Sequence, residues 1–147
     1  MPQFGRPSAD TNNPGAYTDQ GGGGSNIYLT IDETSPSDAD YVRSPLNPQG
    51  AVYVTKLSNL EDPQSSSGHT LRTRYAKDAA GGGVIGLVVE LRQGYVSEGE
   101  QGLLIATRSF PDITEAFTTT ESVLTGTEAD LITDYTSLYV RYVATQT

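Results

Sequence analysis

The sequence predicts an all-β chain: an antiparallel β-sandwich, jelly-roll or immunoglobulin-like, with one short helix near the C-terminus and an extended N-terminal arm. Three observations carry that expectation. Only 35% of the residues are hydrophobic, and these cluster in short runs. The runs alternate apolar with polar residues, as half-buried strands do. Gly, Pro, Ser, Asn and Asp punctuate them at fairly regular intervals, whereas no long window repeats at 3.6 residues.

Residues 1–26 read as a flexible arm and residues 27–147 as the sandwich domain. In the arm, Pro, Gly, Ser and Asn make up 14 of 26 residues, ending in Gly21-Gly22-Gly23-Gly24-Ser25-Asn26. Such a composition buries too little surface to offset its ordering entropy, so the arm is expected to be disordered on its own. Extended, it spans roughly 85–95 Å, enough to cross a neighbouring subunit. The residues singled out as its partner contacts are Phe4, Arg6, Pro7 and Tyr17.

The domain then reads element by element. Ile27, Leu29 and Ile31 alternate as a strand, and residues 32–40 form a polar acidic loop. Tyr41-Val42 reads as a short strand or bridge, Pro45 and Pro48 break the chain, and Val52, Val54 and Leu57 mark the next strand. A Ser-rich loop leads into residues 69–75, where Leu71, Thr73 and Tyr75 face inward and Arg72 and Arg74 outward. Residues 79–83, Ala-Ala-Gly-Gly-Gly, read as a flexible turn. The strongest strand follows, with Ile85, Leu87, Val89 and Leu91 on one face and Gly86, Val88, Glu90 and Arg92 on the other; a one-residue slip would turn the apolar set to water. Residues 103–110 and 116–124 are two more strands. Thr127, with Asp130 three residues on, is read as the N-cap of a one- or two-turn helix. Leu138, Val140 and Tyr142 make the closing strand.

Charge and composition narrow the function. The net charge is −9 and the nine Lys/Arg residues form no basic run, so phosphate binding and nucleic-acid partners are not expected. No apolar stretch approaches the ~20 residues of a membrane span, and the N-terminus lacks the apolar core of a signal peptide. Without Cys there is neither a disulfide framework nor a thiolate metal site.

No catalytic group stands out, and the expectation is a protein that is not an enzyme and needs no cofactor. His69, the one histidine, follows Ser65-Ser66-Ser67-Gly68, but no Gly-x-Ser-x-Gly elbow is present, so it reads as a polar residue opening a strand. Calcium needs only oxygens, and Asp32, Glu33, Asp38 and Asp40 lie close together, yet without EF-hand spacing. A solvated acidic loop with an Asx-turn at Asp38 is the simpler reading. Nine Tyr against three Phe and no Trp suit half-buried sandwich edges, subunit interfaces or sugar platforms alike.

Four stretches carry a resemblance. They are Ile31-Asp32-Glu33 with Ser37-Asp38-Ala39-Asp40-Tyr41-Val42-Arg43-Ser44; Ser67-Gly68-His69-Thr70-Leu71-Arg72-Thr73-Arg74-Tyr75-Ala76-Lys77-Asp78; residues 85–91; and Leu124-Thr125-Gly126-Thr127-Glu128-Ala129-Asp130-Leu131-Ile132-Thr133-Asp134-Tyr135 leading into Leu138-Tyr139-Val140-Arg141-Tyr142. Over residues 27–143, with Arg6-Pro7 and Asp10 as outliers, the chain resembles small β-sandwich virion structural proteins of tailed bacteriophages. The resemblance implies a capsid decoration or cement protein, or a head or tail accessory, and no catalytic residue. It further implies the major capsid protein or other virion proteins as partners, a homo-oligomer, and a place on the outer head or the neck and tail after assembly in the host cytoplasm. The alternative it leaves open is an adhesive head-fibre or tail module that binds host-surface carbohydrate.

Overall fold

The computed structural model describes residues 2–79 and 83–147, so Ala80, Gly81 and Gly82 of the expected glycine turn lie outside the described residues. The chain is all-β and antiparallel, with one short helix near its C-terminus. Among the described residues nine strands form: β1 (Pro7–Asn12), β2 (Thr18–Asp19), β3 (Val42–Arg43), β4 (Gln49–Leu57), β5 (Thr70–Tyr75), β6 (Ile85–Gln93), β7 (Leu103–Phe110), β8 (Thr118–Val123) and β9 (Leu138–Gln146). Helix α1 (Gly126–Asp130) lies between β8 and β9. The main sheet has the order β1-β4-β9-β6-β7; β2 pairs with β3 and β5 with β8 as two-stranded ribbons.

Alternation decides which face of the main sheet is the core. Opposite one another across β6 and β9 lie Leu91 and Val140, Val89 and Tyr142, Leu87 and Ala144. Their face packs with Ile105 and Ala106 of β7, with Leu71 of β5, and with Leu124 and Ile132 from around α1. The β5–β8 ribbon thus lies over this face, and the Tyr75 and Phe110 rings meet at 4.7 Å. The inward and outward assignment of β5 and β6 agrees with this packing. Arg72 and Arg74 point out and pair with Glu121 and Asp38.

Towards β4 the same face is covered by Tyr17 and Ile27, which pack on Tyr53 and Ala144. The opposite face is covered there by Tyr95, which packs with Val52, Val54, Tyr139 and Val143. Strand β4 is therefore buried on both faces from Val52 to Thr55. Gly102 closes the loop that carries Tyr95: its φ of 70° and the nearness of the Gln93 and Gly94 backbone leave no room for a side chain.

Three expectations need correction. Residues 1–26 are not an arm outside the domain: β1 pairs with β4 from Pro7 opposite Leu57 to Asn12 opposite Val54. Residues 27–31 do not form a strand. Ile27–Thr30 is a 3-10 turn, with Ile27 buried and Leu29 exposed. A short apolar run fits either period; here Asp10 decides, because its carboxylate accepts both the Ile27 and Tyr28 N–H groups at 2.9 Å. Finally, the N-cap of α1 is Thr125 and not Thr127. Glu128 stands three residues on and reaches back to the Thr125 N–H at 2.9 Å, closing a capping box.

Candidate functional site

Of the four expected contact residues, the structure brings Phe4 and Arg6 together. The chain before β1 continues along residues 58–61. The Gln3 side chain exchanges two hydrogen bonds with the Glu61 backbone, at 2.9 and 2.7 Å, and the Ser58 N–H donates to the Arg6 carbonyl at 2.7 Å. On this stapled backbone Phe4 remains 58% exposed, with the Arg6 guanidinium 5.5 Å from its ring centroid. Pro7 belongs to the β1–β4 ladder opposite Leu57. Tyr17 is not a surface contact. It is buried and stacked on Tyr53 at 5.6 Å, and its hydroxyl donates to the Ala51 carbonyl at 2.9 Å. Burial pushes its phenol well above the ordinary range.

Asp10 holds the N-terminal segment in place. Besides the two backbone N–H groups it accepts the Tyr53 hydroxyl at 2.6 Å. The sequence signals only that an acidic residue lies in a polar segment; that three donors converge on it depends on the pairing of β1 with β4.

A second polar cluster lies on the sheet face away from the core. Register places Glu90 opposite Arg141 and Arg92 opposite Tyr139. Arg92 Nε and Arg141 Nη1 both donate to Glu90 Oε2, at 2.9 and 3.1 Å, while Arg141 Nε donates to Glu98 Oε2 at 2.9 Å. The Tyr95 hydroxyl donates to Glu98 and accepts from Asn12 Nδ2, each at 2.9 Å. Burial works against the Glu90 charge, but the two guanidiniums outweigh it and hold the carboxyl below its usual range. Arg141 does the same for Glu98. Carboxylates held ionised in this way are poor proton donors near neutral pH. Their chemistry is that of a staple: they tie the loop after β6 to β9 and β1.

His69 Nε2 lies 2.7 Å from the Tyr135 hydroxyl, and its buried Nδ1 has no hydrogen-bond partner among the described residues. Ser65 and Ser67 bond each other at 3.0 Å. In the acidic loop, Asp38 makes a two-pronged bond to Arg74, at 2.7 and 2.8 Å, in place of the expected Asx-turn. Asp40 accepts from Gln20 Nε2 at 3.2 Å. Among the described residues no three His, Asp or Glu side chains converge as a metal-binding group. Beside Asp38 the rings of Tyr41 and Phe117 lie 6.1 Å apart, with the Arg74 guanidinium 5.4 Å from Phe117.

Among the described residues, two open depressions stand out. One, of about 420 Å³, is lined by Pro14, Pro45, Leu46, Asn47, Val52 and Glu98. The other, of about 300 Å³, is mainly polar and includes Asp62, Ser65, Asp130 and Tyr135. Neither gathers a nucleophile, a base and an anion-stabilising donor. The surface instead offers side chains suited to contact: Phe4 with Arg6, and Tyr41 with Phe117 and Arg74. No helix among the described residues is long and apolar enough to cross a membrane. Comparison with models of protein families, with curated proteins and with solved structures finds no match.

Proposed function

We propose that this protein is a non-enzymatic structural component of a tailed-phage virion, a capsid decoration or cement protein that binds and stabilises the head shell as a homo-oligomer. The resemblance carried by residues 27–143 motivates the reading. The observation that supports it best is Phe4: an exposed aromatic ring, flanked by a guanidinium, on backbone pinned to the sheet edge. Aromatic and Arg side chains on a rigid support are the usual anchors of protein interfaces, because little entropy is lost when they are covered. A repetitive shell multiplies such weak contacts. In this reading the contact is made by a docked strap, and not by a free arm.

Copy number tests the proposal. In purified virions the protein should approach the abundance of the major capsid protein, and Phe4→Ala should lower occupancy without lowering the melting temperature. Abundance of tens of copies or fewer overturns the cement reading.

A second reading, an adhesive head-fibre or tail module, is favoured by the group of Tyr41, Phe117, Arg74 and Asp38. Aromatic faces stack on the C–H faces of sugars, and the forked Arg–Asp pair has spare donors and acceptors for hydroxyls. A glycan-binding screen that yields a ligand lost on Phe117→Ala would favour this reading over the first.

A further inference from the structure

The two edges of the main sheet are built differently, and from that difference we infer that the outer edge of β7 pairs antiparallel with β7 of a second copy, giving a closed dimer. This names a surface for the homo-oligomer proposed above but needs no virion.

The β1 edge carries several of the guards that discourage further pairing. Pro7 lacks an N–H, and the register slips between Pro7 and Ala9 and again between Asp10 and Asn12. The β7 edge carries few. It runs for eight residues without Pro, Gly or Lys, and no strand pairs with its outer side among the described residues. Its single irregularity lies opposite Leu91 and Arg92. Leu103 and Leu104, at its start, are 45% and 39% exposed. Among the described residues the one side chain bonded to a β7 carbonyl is its own Arg108, whose Nη1 donates to Thr107 O at 2.8 Å.

Charge points to a second copy as the occupant. A chain of net charge −9 repels itself wherever its acidic surplus is exposed. Strand β7 itself carries Arg108 and no acid, and three acids near it are paired: Glu128 on α1 with Arg108, Glu121 on the neighbouring ribbon with Arg72, and Asp112 just beyond the strand with Lys77. Two copies can therefore approach at this flank with little electrostatic cost. A two-fold axis makes one edge strand its own complement. Joining the open edges leaves the guarded β1 strands at both outer ends, so growth stops at two.

Light scattering on size-separated protein should give twice the chain mass. Thr107→Lys and Ser109→Lys, both at exposed positions of β7, should weaken association by about tenfold or more through like-charge apposition across the axis. Ser8→Lys on β1 should leave the dimer intact. Melting curves check that the variants fold. If they do not, hydrogen exchange on the unaltered protein decides, because protection of β7 amides should rise with protein concentration. A monomer at high micromolar concentration, a dimer that survives Thr107→Lys, or concentration-independent exchange in β7 overturns the inference. So does a monomer whose β7 edge is protected only on binding a different protein. Because every readout but that last one is made on the isolated protein, its failure is separable from failure of the copy-number test.

Discussion

The N-terminal segment and strand β9 line the same sheet but are held there by different physics. Strand β9 carries Leu138, Val140 and Ala144 into the core and is paired on both sides, by β4 and β6. The N-terminal segment contributes one large buried side chain before residue 27, that of Tyr17. Besides the β1–β4 ladder, its fixed points include hydrogen bonds between side chains and backbone: Gln3 with Glu61, Asp10 with Ile27 and Tyr28, and Asn13 with Tyr17 through bonds of 2.8 Å in both directions. Apolar burial follows from composition. Polar pinning depends on where each donor and acceptor ends up, so it is nearly invisible to composition.

Removing residues 2–26 is the harshest way to break the comparison. A true appendage could be deleted at no cost. Here deletion strips β4 of its edge partner, uncovers Tyr53 and orphans the Tyr53 hydroxyl. The expected outcome is a protein that fails to melt cooperatively or melts far below the full chain, as seen by calorimetry. An unchanged melting temperature would return the segment to the status of an arm.

Asp10→Ala tests whether a single pin carries the segment. It leaves the Ile27 N–H, the Tyr28 N–H and the Tyr53 hydroxyl without their acceptor. At roughly 1–3 kcal/mol for each buried donor left unpaired, discounted because the site is only partly buried, the loss should be about 3 kcal/mol by urea unfolding. Asp10→Asn keeps one acceptor oxygen and should lose less. Equal losses would mean that packing, and not hydrogen bonding, holds the turn.

The same division explains what could be read in the sequence. Strands β4 to β9 were legible because a two-residue period leaves little choice of face. The helix was legible to within two residues. Both Thr125-x-x-Glu128 and Thr127-x-x-Asp130 look like caps, and the longer Glu side chain closes the box. The candidate site was legible in part. Phe4 is exposed beside the half-buried Arg6, whereas Tyr17, equally aromatic and set among equally polar neighbours, is sealed beneath the sheet by its stack on Tyr53. Of the Glu90–Arg92–Arg141–Glu98 cluster only the shared face of Glu90 and Arg92 was legible, because Arg141 joins them through the register of β6 with β9 and Glu98 through the loop after β6.

Acid tests polar pinning at a third place, the cap of α1, more gently. Arg108 and the capping hydrogen bond at Thr125 hold the Glu128 carboxyl down at about 2, so its contribution is fully present above its ordinary value of 4.5 and is lost as pH falls towards 2. Glu90 and Glu98 are shifted in the same direction. Glu128→Gln should lower the melting temperature by about 2–4 °C at pH 6, the scale of a partly exposed pair worth ~1 kcal/mol. The gap from the unaltered protein should close between pH 4.5 and 2. A gap that persists at pH 2 would assign the effect to the shape of the cap.

The smallest effect of all belongs to one of two glycines of the N-terminal segment that composition treats as equals. The Gly15 N–H donates to the Val52 carbonyl at 2.9 Å, and a Cβ on Gly15 would run into the Val52 backbone itself. Gly24 has nothing within 4 Å of where its Cβ would stand, and its φ lies outside the left-handed region. Gly15→Ala should therefore cost about 3 kcal/mol, since the turn at Gly15 cannot back away from β4 without breaking its hydrogen bond to Val52. Gly24→Ala should stay within about 0.5 kcal/mol, with a slight gain possible from a stiffer unfolded chain. If both were neutral, the segment would be loosely held along its whole length. If only Gly24 is neutral, its order is local, set where the chain touches β4 and absent where it crosses open solvent.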